Sequence, residues 1–206
     1  MCSWARLDDA KSGPEVSCRI AAIPLPATGP VDMTSTHRYV AFLRGVSPMN
    51  AKMPDLIRAF EAAGFTKVKT VISSGNVVFD HPGAPVDELE RLAEQAMTDT
   101  LGKSFGTTVR PVEHLRAIVD AEPFEVFSPP DNAKRLITFL KRPHEQPVTL
   151  PIEGDGAAIV KLDGVEVLSY YVPNDSGPLF MAKLEKTFGK AITTRTVDTV
   201  RKCIKA

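Results

Sequence analysis

The sequence predicts an α+β protein whose chain runs twice, imperfectly, through the order β-α-β-β-α-β. Three observations carry this. In Val71–Asp80, VISSGNVVFD, apolar residues flank the turn formers Ser73, Ser74, Gly75 and Asn76, as in a hairpin. Tyr39–Leu43 and Leu136–Leu140 are apolar on both faces, the pattern of central strands. Between such runs lie amphipathic stretches that end at Gly64, Gly102 and Gly189, as helices do.

Taken in order, Met1–Ser35 has no usable periodicity. Its best apolar stretch, Ile20–Leu25, is short and broken by Pro24 and Pro26, while Asp8, Asp9 and Glu15 sit where a signal peptide would be apolar. Residues 1–35 are therefore expected to form a disordered tail. Residues 36–120 form the first expected lobe. Tyr39–Leu43 is its first strand, and Pro54 opens a helix with an apolar stripe of Leu56, Ile57, Phe60 and Ala63. Val68–Ile72 and Val77–Phe79 are the hairpin strands. A second helix begins near Val86, with Asp87 and Glu88 at its positive end, and Thr107–Val112 is the fourth strand. This is the split βαβ order of ferredoxin-like folds.

Residues 121–206 form the second expected lobe. Leu136–Leu140 is its first strand, and Pro143, Pro147 and Pro151 make the crossover that follows a poor helix. Ala157–Leu162 and Val165–Val172 flank Asp163-Gly164, which suits a two-residue type I′ turn. Leu179–Phe188 is a helix and Ala191–Thr194 a short strand. Thr196 is placed to cap a last helix carrying Val197, Val200 and Ile204. Two lobes related by an imperfect internal duplication are the expected architecture.

Composition narrows the function classes. Lys+Arg and Asp+Glu balance at 25 each, so no global field recruits nucleic acid or an anionic membrane. No apolar run reaches the roughly eighteen residues of a membrane span. Cys2, Cys18 and Cys203 have no C-x-x-C spacing, which argues against a disulfide framework or a thiolate zinc site and fits a cytoplasmic protein. No cofactor or metal is implied, because His37, His81, His114 and His144 are isolated and lack ligand spacing. Gly102-Lys103-Ser104 echoes a P-loop, yet Met97 stands where its first glycine belongs. Cys203 sits on the stripe of the last helix, as a core residue does. Asp87, Glu88, Glu90 and Glu94 read as a solvated acidic face.

A split βαβ brings three connections to one edge of its sheet: Arg44–Met53, Ser73–Asn76 and Gly102–Gly106. Arg44, Lys52, Ser73, Ser74, Gly75 and Asn76, with Lys103 and Ser104 nearby, are the candidate ligand-binding residues. Cations, hydroxyls, an amide and glycine-exposed N–H groups suit a small anion such as a phosphate or carboxylate. Arg44 and Asn76 are expected to aim donors at one point beyond the edge. No catalytic residue stands out. Two other classes stay open. Leu179–Ala206 carries seven basic residues against Glu185 and Asp198, a surface for RNA or DNA, although only one of Tyr170 and Tyr171 could stack on bases. A scaffold or oligomer with an apolar patch near Phe124 and Phe127 is the third class.

The stretch LRGVSPMNAKMPDLIRAFEAAGFTKVKTVISSGNVVF resembles the opening of the domain of unknown function 1697 family, and TTRTVDTVRK resembles its closing T-x-R-N-W-x-T-V-x-K. The resemblance spans about Arg38 to Ile204. It implies a two-lobed α+β fold and no established activity. Ser47-Pro48-Met49 replaces the family's glycine-rich N-V-G-G loop, Gly177-Pro178-Leu179 its S-K-L, and Thr196-Val197 its N-W. That lysine and that tryptophan therefore do not carry over.

A chain starting at Met33 is expected to melt within about 2 °C of the full chain, less than the shift that ~1 kcal/mol produces at this size. A loss of several degrees would show that the tail packs on the core.

Overall fold

Strand β1 (His37–Leu43) sends alternate side chains into two different cores, and that division sets the layers. In the computed structural model, residues 36–173 and 179–206 are described. The expected tail, 1–35, and the Gly177-Pro178 replacement lie outside the described residues. Tyr39, Ala41 and Leu43 face one core, while Val40 and Phe42 face another. A pleated strand requires that split when both of its faces are covered.

The first core lies under α1 (Met53–Ala62) and α2 (Val86–Leu101). Pro54 occupies the first turn of α1, where its missing N–H costs nothing, and Leu56, Ala59 and Phe60 are buried. Gly102 ends α2 in the left-handed conformation. The two helices cover a sheet of β2 (Thr66–Thr70), β3 (Asn76–His81), β1 and β4 (Thr107–Pro111), in the order β2-β3-β1-β4. Every neighbouring pair is antiparallel. β4 is an edge strand, and α2 covers its outer rim. Val109 N donates to Glu90 Oε1 at 2.9 Å and Thr107 N to Glu94 Oε1 at 2.8 Å. Glu90 and Glu94 thus leave the expected solvated face and satisfy strand donors that would otherwise invite another chain. Burial pushes the Glu90 carboxyl above its ordinary range.

After α3 (Val112–Asp120) and a short 3₁₀ turn, Glu125–Phe127, the chain enters a second sheet. Its strands are β5 (Lys134–Leu140), β6 (Ile152–Gly154), β7 (Ala157–Asp163), β8 (Glu166–Tyr171) and β9 (Ile192–Thr196). They lie in the order β6-β7-β8-β5-β9, again antiparallel throughout. No helix joins β5 to β7. Pro143, Pro147 and Pro151 cannot donate to a helical ladder, and the crossover instead adds β6 to the sheet edge. The β7–β8 turn also differs from expectation. Asp163 pairs with Glu166, so Gly164 and Val165 form the loop, and Gly164, with φ +60°, takes the first position as a type II′ turn requires.

α4 (Leu179–Phe188) covers the outer face of this sheet, where Leu184 meets Ile159, Val167 and Ile192. The inner faces of the two sheets meet each other, with α3 and α5 (Val197–Ile204) completing a shared core. At its centre the rings of Phe42 and Phe139 stack at 4.5 Å, 8° from parallel. Thr196 caps α5, its hydroxyl accepting from Thr199 N at 3.2 Å. Among the described residues no helix is long and apolar enough to cross a membrane.

The turn before β3 is fixed by Gly75. Its φ is +73°, its carbonyl accepts from Leu43 N at 2.7 Å, and a Cβ there would lie 2.7 Å from Val46 Cβ and 3.0 Å from Leu43 Cβ. Gly164 shares the positive φ, but its Cβ would meet nothing within 4 Å. Gly164→Ala should therefore cost about 1 kcal/mol and Gly75→Ala about 2–4 kcal/mol in urea unfolding, the excess coming from overlap. Equal costs would show that the turn can give way.

Candidate functional site

Two arginines cross the shared core, each from the edge strand of one sheet to the central strand of the other. Arg110, on β4, lies 5.7 Å from the centroid of the Phe139 ring on β5. Arg195, on β9, lies 5.7 Å from that of Phe42 on β1. Their hydrogen bonds match as well. Arg110 Nη1 donates to its preceding carbonyl, Val109 O, at 2.9 Å and Nη2 to Leu140 O at the end of β5, at 2.6 Å. Arg195 Nη1 donates to Thr194 O at 2.8 Å and Nη2 to Leu43 O at the end of β1, also at 2.8 Å. Where Leu43 N meets Gly75 O at 2.7 Å, Leu140 N meets Val165 O at 2.8 Å. Thr108 and Thr193, each two residues before its arginine, approach to 3.5 Å between hydroxyl oxygens.

The correspondence breaks at the third partner. Arg110 Nε donates to the Glu166 carboxylate at 2.7 Å, and both side chains are almost wholly buried. His114 Nε2 lies 3.3 Å from the same oxygen. Burial alone would raise the Glu166 carboxyl, but His114 and the Arg110 charge outweigh it and hold the pKa below its ordinary value. At the first residue of β3, where β8 has Glu166, stands Asn76, fully buried and neutral. Arg195 Nε donates to its Oδ1 at 2.5 Å. Thr199, four residues after Arg195, holds the place that His114 holds after Arg110. Arg195 also donates from Nη2 to Ser74 O at 3.0 Å and Gly75 O at 3.3 Å. All its partners among the described residues are neutral. Burial lowers its pKa to about 10, so it is still a cation at pH 7. Cys203 is buried nearby, as expected of a core residue, and burial pushes its thiol up to about 11.

Arg195 borders a cleft of about 620 Å³. Ser74, Thr194, Thr196 and Thr199 border it as hydroxyl residues, the Thr194 hydroxyl lying 2.8 Å from that of buried Thr138, while Leu136, Tyr171, Pro173, Phe180 and Met181 make an apolar wall. The rings of Tyr171 and Phe180 stack at 6.1 Å.

The connections expected to converge do so through their backbones, since Leu43 N meets Gly75 O and Arg44 N meets Gly106 O at 2.8 Å. Their side chains part ways. Ser74 borders the cleft, and Gly75 and Asn76 hold Arg195 beside it. Ser73 is exposed on the same turn. Asn76 aims no donor outward, because its buried Nδ2 donates to Val71 O at 2.9 Å and Ser74 Oγ at 3.1 Å within its own turn. Arg44 reaches Glu185 on α4 at 2.7 Å. Lys52 and Lys103 border a different groove, with Met49, Asp55, Arg58 and Thr100. The residue that sequence reasoning missed is Arg195, counted there only as part of a basic surface. Among the described residues no group of three or more His, Cys, Asp or Glu can hold a metal ion.

The Arg110–Glu166 pair generates a prediction. Glu166→Gln leaves a buried guanidinium without a counter-charge and should cost about 3–5 kcal/mol near neutral pH. Because the Glu166 pKa is depressed in the folded state, its contribution is present above the unfolded carboxylate value and is lost as pH falls through the folded one. The stability gap between wild type and Glu166→Gln, measured by urea unfolding, should therefore narrow below about pH 4. A gap independent of pH would remove the charge from the explanation.

A comparison with curated proteins finds no match. Among solved structures the chain is similar to the conserved bacterial protein SP0830 from Streptococcus pneumoniae, with a TM-score of 0.62 and 17% identity, over 83% of this chain and 98% of that one. At that identity the likeness is one of fold. The family model described as "Protein of unknown function (DUF1697)" matches residues 36–163, which include the LRG strand and the SGNVVF hairpin but stop short of TTRTVDTVRK. That match spans more than half of the chain, and the chain belongs to the DUF1697 family.

Proposed function

We propose that the protein binds a small anionic ligand in the cleft beside Arg195, with Ser74 and Thr199 supplying hydroxyls. The observation that carries this reading is the contrast between the two arginines. The same pattern of bonds holds both, yet one has a buried carboxylate partner and the other a buried amide. A buried cation without a counter-ion is unfavourable, and an anion arriving in the open cleft relieves it. We also propose that the chain is two ferredoxin-like lobes, 36–120 and 121–206, related by duplication. The orders β2-β3-β1-β4 and β7-β8-β5-β9 support this, as do the repeated arginine contacts.

The nucleic-acid and scaffold readings have less behind them. Tyr170 packs on the shared core, which leaves Tyr171, beside Phe180 at the cleft, as the one tyrosine of the pair with an accessible face. An RNA-binding sheet uses more stacking rings than that. Phe124 is buried and Phe127 packs against the same core.

Thermal melting with and without sodium phosphate or a sodium carboxylate, at matched ionic strength, tests the proposal. Wild type should gain several degrees with at least one of these anions, because a ligand that binds only the folded state stabilises it. Thr199→Glu sets a carboxylate at the cleft near Arg195 while leaving the arginine's own bonds in place, and should remove the gain. No response in wild type to phosphate or to any carboxylate, or an equal response in Thr199→Glu, would overturn the site.

A further inference from the structure

The cleft's two halves differ in chemistry, and the difference narrows the ligand. We infer, resting on the anion-site reading above, that the ligand is an amphipathic monocarboxylate: one singly charged head at Arg195 and an apolar or aromatic body against Tyr171, Phe180 and Met181. Three observations favour this over a phosphate ester or a nucleotide.

Arg195 is the only cation among the described residues that border the cleft. A phosphate dianion or polyphosphate placed there would keep uncompensated charge beside an apolar wall, which is costly. Next, the guanidinium is not a free fork. Nε, Nη1 and Nη2 already donate to Asn76, Thr194, Leu43 and Ser74, so the usual bidentate grip on a phosphate is largely spent. What it offers is charge, and the remaining donors are hydroxyls. Thr199 Oγ1 lies 2.9 Å from Thr196 Oγ1, and Ser74 Oγ accepts from Asn76 Nδ2, which leaves the serine hydrogen for a ligand oxygen. One carboxylate matches that supply.

Finally, the wall is built for an apolar body. Phe180 and Met181 sit one after the other at the start of α4, Tyr171 closes β8, and Leu136 on β5, paired with Ser169 and Thr196, joins them in lining the cleft. The cleft, at about 620 Å³, has the size of a small-molecule site and far exceeds what a lone inorganic anion fills.

Calorimetric titration of the full chain with acetate, hexanoate, phenylacetate, phenylacetamide and inorganic phosphate tests the inference. Hexanoate or phenylacetate should bind at least about tenfold more tightly than acetate or phosphate, since burying even two or three methylene groups is worth that much. Phenylacetamide, which lacks the charge, should bind at least about tenfold more weakly than phenylacetate. Phe180→Ala should shrink the advantage of phenylacetate over acetate, and the ligand series on the unaltered protein stands even if that variant fails to fold. Phosphate binding as tightly as phenylacetate, with both lost in Thr199→Glu, would overturn the ligand class and keep the anion site. Binding of phenylacetamide as tight as that of phenylacetate would overturn the charged head. An absence of binding by every anion in the series would overturn both.

Discussion

The stack of Phe42 on Phe139, clamped on each side by an arginine from the opposite sheet, is the contact on which the arrangement of the two sheets depends. Each ring belongs to a central strand, so the stack fixes the distance between sheets. Each arginine then ties the end of that strand to the edge strand of the other sheet, through Leu140 O in one case and Leu43 O in the other. Apolar burial between the faces is large but has no direction. The arginine–carbonyl bonds have direction, and they set the register in which the faces meet.

Two such clamps do not need the same chemistry. At Arg110 the charge is cancelled inside the fold by Glu166, and the contact is closed. At Arg195 the amide of Asn76 satisfies geometry without cancelling charge. A glutamate at position 76 would supply the missing charge, in the manner of Glu166. Its absence leaves a cation held rigidly at a cleft, which is the preorganised state an anion site requires, at a cost in stability that the surrounding carbonyls limit.

The sequence made the local elements legible because each carried a local cause. Pro54 and Gly64 bracket α1, Thr196 caps α5, and the two-faced apolar runs at Tyr39–Leu43 and Leu136–Leu140 are central strands. The turn at Gly164 was misplaced by one residue because register is decided by pairing across the sheet, which the dipeptide Asp163-Gly164 does not encode. Of the candidate residues, Ser74 borders the cleft and Gly75 and Asn76 hold Arg195 beside it, whereas Arg44 reaches Glu185 and Lys52 borders another groove, since nothing local tells where a long side chain goes. Arg195 was missed for a related reason: it joins residues more than a hundred positions away in the chain. One signal was present. Thr108-Val109-Arg110-Pro111-Val112-Glu113 and Thr193-Thr194-Arg195-Thr196-Val197-Asp198 share Thr-x-Arg-x-Val followed by an acid, which marks the two arginines as counterparts.

On the anion-site proposal, the position of Arg195 makes ligand binding and sheet packing one problem. Its acceptors Leu43, Ser74 and Gly75 belong to the first sheet and its turn, while the strand that carries it belongs to the second. A guanidinium with no counter-charge is drawn toward water, and moving outward would loosen those bonds. An anion bound in the cleft, as proposed, would remove that pull and tighten the same bonds that hold the sheets together. Binding free energy at the proposed site would therefore enter the stability of the whole inter-sheet contact rather than of one loop. The Arg110 clamp, already neutralised, supplies the part of that contact that does not vary with ligand.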